Sequence, residues 1–159
     1  MSAKLSVFFS VICGVMACQL VAAAMSQQPA APSAAPAADS ASKTQWDGVY
    51  SDEQATRGEA LYTKSCASCH GAELGGGDKG PALKGDDFDA AWNDKKMGEL
   101  SERIRTTMPS DNPASLTRAQ NADVLAFMLK KLGAPAGQTP LPTNVDQLNT
   151  IKYVAKKPA

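Results

Sequence analysis

An all-α domain is what this sequence predicts, on three observations. Three stretches between residues 46 and 136 carry apolar side chains at three- and four-residue spacing, the period of an amphipathic helix. Two of them open on Ser or Thr with Gln three residues later, the capping-box pattern of a helix start. The segments between are broken by Gly75-Gly76-Gly77, Gly80-Pro81 and Met108-Pro109, which interrupt regular structure. The chain has 159 residues, enough for one small domain with extras, and 43% apolar residues could supply a modest core. Its 16 cations balance 16 acids, so no overall field points to nucleic acid or to an anionic membrane surface.

Residues 1–24 run from one early cation, Lys4, through the apolar stretch Leu5 to Leu20 and on to Val21-Ala22-Ala23-Ala24. That is the order of a secretory signal, so these residues are set apart from the fold, with cleavage expected after Ala24 and export of the mature protein. Two other readings stand beside it. Val15-Met16-Ala17-Cys18 resembles a bacterial lipobox, which would end the leader at Ala17 and lipidate Cys18. An apolar run of roughly 20 residues would also serve as an uncleaved anchor. Residues 25–45 are mostly Ala, Pro, Ser and Gln and cannot bury enough surface to offset the entropy of ordering, so a disordered linker is expected.

The folded domain is expected over residues 46–136, beginning at Trp46. Ser51 caps the first helix, Gln54 can reach back to it, and Ala55, Gly58, Leu61 and Tyr62 share the inward face of a helix from Asp52 to Lys64. Directly after it stands Cys66-Ala67-Ser68-Cys69-His70. Two thiols three residues apart, followed at once by histidine, form the pattern that attaches haem c: each thiol makes a thioether to a vinyl group and His70 is delivered to the iron. A redox dithiol expects a βαβ context, and a zinc site needs more Cys or His than remain, since His70 is the single histidine. Cys13 and Cys18 lie in the leader, so attachment through Cys66 and Cys69 leaves no thiol for a disulfide. Gly71 to Gly85 should loop over the cofactor; without Gly-Lys-Ser/Thr it is no phosphate cradle.

Asp86 to Lys96 is charged, with Phe88 and Trp92 four residues apart as core packing and the Trp92 indole N–H as a candidate contact for a haem propionate. A second helix spans Met97 to Thr107, with Leu100, Ile104 and Thr107 inward and a Glu99/Arg103 pair outward. It stops at Met108, because Pro109 disfavours helix in the residue before it. Ser110 to Leu116 is loop. Thr117 and Gln120 open a third helix with Val124, Leu125, Met128, Leu129 and Leu132 as its buried stripe and Phe127 at its edge, closed by Gly133. Residues 137–159 form a C-terminal extension whose Leu141, Val145, Leu148, Ile151, Tyr153 and Val154 should lay it across the domain surface, fraying at the end. With no second histidine, a soft methionine is the natural second iron ligand. Met108, in a break before Pro, is the candidate; Met128 sits mid-helix on a core stripe, and Met97 is surface or packing.

Residues 52–132 resemble the class I c-type cytochromes: helix, Cys66-x-x-Cys69-His70, Gly80-Pro81 loop, Met108-Pro109 loop, helix, in that order. The resemblance implies one covalent haem c held by Cys66 and Cys69, with His70 and Met108 as axial ligands and the Pro81 carbonyl accepting a hydrogen bond from the ligand histidine. It also implies that the first and last helices cross where Gly58 meets Phe127, beside Tyr62 and Val124. Trp46-Asp47-Gly48-Val49-Tyr50 and Arg103-Ile104-Arg105-Thr106-Thr107-Met108-Pro109 are similar to haem domains found beside bacterial periplasmic quinoprotein dehydrogenases. The function implied is a periplasmic, non-enzymatic carrier of single electrons from a dehydrogenase to an oxidase or other acceptor. Nucleic acid is not expected as a partner, and the membrane only if Cys18 is lipidated or the leader retained. The alternatives are a fixed electron-transfer subunit of a membrane-bound complex and a haem enzyme or gas sensor with an open distal site.

Overall fold

The computed structural model describes residues 43–158; the expected leader, Cys18 and the linker up to residue 42 lie outside the described residues. Two helices, α1 (Asp52–Ser65) and α5 (Arg118–Lys131), make the most extensive helix-to-helix contact in the fold. They meet at Gly58 because only glycine fits there: a Cβ would run into the Asp123 backbone carbonyl and stand 3.0 Å from the Phe127 Cβ. Tyr62 stacks on Phe127 at 5.1 Å between ring centres, and Arg57 closes the crossing with a forked pair to Asp123 at 2.9 and 3.0 Å. Helix α5 is buried continuously from Asn121 to Leu129, so Phe127 is core and not edge.

The caps follow the sequence in one case and depart from it in the other. Thr117 and Gln120 form the reciprocal box at the start of α5, with N–H to side-chain oxygen distances of 3.2 and 2.9 Å. Ser51 likewise accepts from the Gln54 N–H at 3.3 Å, but the Gln54 side chain does not reach back. Its amide instead donates to the Leu141 carbonyl at 3.1 Å and accepts from the Leu141 N–H at 2.6 Å. A buried amide satisfied at both ends by backbone outcompetes a cap that water could replace.

Helix α4 (Met97–Thr107) is tied to α5 by the Asn121 amide, which donates to the Ser101 carbonyl and hydroxyl at 3.1 and 2.7 Å. Met97 is fully buried, so packing is its role. The expected Glu99/Arg103 pair is replaced: Glu99 accepts from the Lys96 N–H at 3.3 Å, and the ion pair within α4 joins Glu102 to Arg105 at 2.7 Å. Glu102 also holds Arg118 at 3.1 Å. Between these long helices lie one turn, α2 (Ala67–His70), and a seven-residue helix, α3 (Asp86–Trp92), which the sequence reading left without helical structure.

Both ends of the domain differ from expectation. Structure already precedes Trp46: β1 (Lys43–Thr44) pairs in parallel with β2 (Ile151–Lys152), in register Lys43 to Ile151 and Thr44 to Lys152. Gln45 is buried, accepting from the Val154 N–H at 2.8 Å, and the Trp46 indole donates to the Val154 carbonyl at 2.8 Å. The polar character that marked residues 43–45 as linker is satisfied by backbone and not by water. The extension likewise does more than lie on the surface, because Leu141, Leu148, Ile151 and Tyr153 are buried members of the core. One turn, α6 (Val145–Leu148), packs on α4, where Gly98 lets Asn149 and the Val145 carbonyl approach closely. Apart from the two-residue strands, the described fold is helix and loop, as expected of an all-α class. No described helix is long and apolar enough to cross a membrane.

Candidate functional site

Helix α1 ends at Cys66, whose N–H still donates to the Tyr62 carbonyl at 2.8 Å, and α2 begins at once. The turn carries Cys69 and His70 round on 2.9–3.1 Å bonds to the Cys66 carbonyl. Compact geometry here depends on two glycines further on. A Cβ on Gly80 would press on Cys69 backbone and Cβ atoms at 3.0–3.2 Å, and one on Gly76, whose φ is +78°, would stand 2.6 Å from the Ala82 nitrogen. The loop therefore folds flat against the α2 turn, and Leu74, which the sequence reading passed over, is completely buried beneath it.

This places the Pro81 carbonyl 2.8 Å from Nδ1 of His70. A carbonyl only accepts, so Nδ1 carries the proton and Nε2 keeps a free lone pair. His70 is buried, 8% exposed, and borders a cavity of about 910 Å³. Such a volume lies at the upper end of the roughly 300–1,000 Å³ of ligand pockets. Cys66, Cys69, Pro81, Trp92, Met108 and Met128 border the same cavity, so every residue singled out from the sequence for cofactor binding reaches it. Leu61, Leu100, Ile104 and Val124 supply its apolar lining. Met97 is not part of the lining.

The two methionines differ in backbone. Met128 lies within α5, 2% exposed, while Met108 follows the last turn of α4 in extended conformation, φ −123° and ψ 153°, and is half-buried. Arg103, expected to point outward in an ion pair, borders the cavity.

The thiols are free and partly buried. Burial, with the neighbouring Cys69 adding to it, pushes the Cys66 thiol up to about 11. A redox-active or zinc-binding cysteine is instead activated by a lowered pKa. Among the described residues no group of three or more His, Cys, Asp or Glu gathers to hold a metal ion. Tyr62 borders the cavity too; its hydroxyl donates to the Gly71 carbonyl at 2.8 Å, and burial raises it to about 12. The donor set and the cavity fit a haem: one imidazole with a free Nε2, one thioether sulfur, and two thiols a single turn apart beside an apolar space.

Residues 53–128 match the family model for cytochrome c oxidase, cbb3-type, subunit III. No curated protein matches the chain significantly. Among solved structures, the sulfane dehydrogenase SoxCD from Paracoccus pantotrophus is 24% identical over 55% of this chain and 52% of that one, with a TM-score of 0.41. The chain thus spans about half the length of that neighbour. The family match falls on the two crossing helices and everything between them that borders the cavity, and this stretch is similar to c-type cytochrome domains, which bind haem and transfer electrons.

Proposed function

We propose that the chain is an exported, mono-haem c-type cytochrome that passes single electrons between periplasmic redox proteins and transforms no substrate itself. One observation carries the reading: the Cys66 and Cys69 thiols, His70 with its ring oriented by Pro81, and Met108 all border one cavity. Haem in this cavity would be held at its iron by His70 and Met108 and would supply one-electron redox chemistry. The chain's residues do the rest. Cys66 and Cys69 would fix the group by thioethers, the Pro81 carbonyl holds the proton on Nδ1 of His70 and so leaves Nε2 as the ligand atom, and the Met108 thioether would raise the potential. Leu100, Ile104 and Val124 give the cavity an apolar lining, and Trp92, on its border, would offer its indole N–H to a propionate.

The electron donor proposed is a periplasmic dehydrogenase and the acceptor an oxidase or another redox protein. Purified holoprotein tests the core of this. One haem per chain by pyridine haemochrome, a matching mass gain on the peptide containing Cys66 and Cys69, and a far-red thioether-to-iron band are expected. Haem extractable by acidified organic solvent, or rapid cyanide binding in the resting ferric protein, would overturn covalent attachment or closed ligation respectively. The mass of the mature N-terminus separates cleavage after Ala24 from lipidation at Cys18.

A further inference from the structure

One wall of the cavity joins the core mainly through the buried Phe88 and the half-buried Trp92. Helix α3 contributes Asp87, Phe88, Ala91 and Trp92 to the lining, yet it has seven residues, no side-chain cap on its Gly85 N-terminus, and no extensive contact with another described helix. Isolated helices shorter than about 12–15 residues are marginal in water, so something else must hold this one in place.

What holds it is the C-terminal extension, beyond the matched stretch. The Tyr153 hydroxyl donates to the Asp89 carboxylate at 2.6 Å, a charge-assisted bond, and its ring stands edge-on to Phe88 at 5.7 Å. The Tyr153 N–H donates to the Lys95 carbonyl at 2.9 Å, its own carbonyl accepts from the Asp94 N–H at 2.8 Å, and the Ala155 N–H donates to the Asn93 side chain at 2.9 Å. Phe88 passes the contact on to Trp92, 6.3 Å between ring centres. Two aromatic contacts therefore join the tail to the cavity.

We propose that Tyr153 is a positioning residue for the haem: through Asp89 and Phe88 it holds α3 as a cavity wall, and so sets water access to the cofactor and its reduction potential. The inference rests on the haem reading above. Water and dielectric at a metal site tune its potential, and water favours the more highly charged ferric state. Loosening α3 therefore lowers the potential.

The test uses full-length holoprotein carrying Tyr153→Phe, Tyr153→Ala, Asp89→Asn or, as control, Gln54→Ala. The control releases the same tail at Leu141, away from α3, and should lower the melting temperature while leaving the potential at its wild-type value. Tyr153→Ala should lower the potential and alter the Soret circular dichroism. Tyr153→Phe, which keeps the ring and loses the hydrogen bond, should do so to a smaller extent, and it remains informative if the alanine variant yields no holoprotein. Asp89→Asn keeps an acceptor for the hydroxyl and should leave the potential near its wild-type value. Unchanged potentials in both Tyr153 variants, or an equal shift in Gln54→Ala, would reduce Tyr153 to a staple and overturn the proposal. Absence of haem from the wild type would instead overturn the haem reading.

Discussion

Met108 and Met128 both border the cavity, so the choice of iron ligand rests on backbone and not on proximity. A side chain in mid-α5 is committed to core packing, whereas one leaving α4 in extended conformation is free to turn inward. Met108→Ala is expected to erase the far-red band, lower the potential and speed cyanide binding. Met128→Leu, a volume-conserving swap costing under about 1.5 kcal/mol, should leave all three nearly unchanged. Loss of the band in Met128→Leu alone would reverse the assignment. Tyr62 carries a pH dependence. Its folded-state pKa, about 12, lies above the ordinary 10.0, so its contribution to stability is complete below pH 10 and is lost as pH rises toward 12. Melting curves of Tyr62→Phe should show a loss of roughly 1 kcal/mol at neutral pH and a shallower decline above pH 10. At this scale the sequence was most legible in placement, since Cys66, Cys69 and His70 stand close to one another along the chain and all three border the cavity. Leu74 was hidden because its burial depends on a loop that closes only through Gly76 and Gly80.

Among elements, the α1–α5 crossing invites the sharpest test. Valine at Gly58 would place its Cβ against the Asp123 carbonyl, a backbone atom that cannot swing away. Gly58→Val should destabilise by at least the roughly 1–3 kcal/mol typical of overpacking, read as a lowered denaturation midpoint. An unchanged midpoint would mean that the two helices do not meet at that residue. The three long helices were readable because each carries several turns of periodic apolar residues, and α1 and α5 open on a Ser or Thr cap as well. Helix α3 is too short for periodicity to declare itself. Its signals were Gly85, three acids in the first turn and the Phe88/Trp92 pair, which fit a helix start as readily as a charged loop.

For the molecule as a whole, a core built around a cavity implies dependence on what fills it. Cys66→Ala, Cys69→Ala and His70→Ala should each sharply reduce holoprotein, measured as haem absorbance per purified chain. A stable, haem-free fold from any of them would contradict that architecture. The strap at the ends was illegible for a plain reason: Gln54 to Leu141 and Gln45 to Val154 join residues 87 and 109 positions apart, side chain to backbone, and no local pattern encodes them. The parallel pairing of Lys43–Thr44 with Ile151–Lys152 has a further consequence, because entry and exit strands share one corner and neither borders the cavity. The described domain is topologically almost a ring, so it lends itself to circular permutation or to insertion into a host loop. A cargo fused to either end would hang from that same corner.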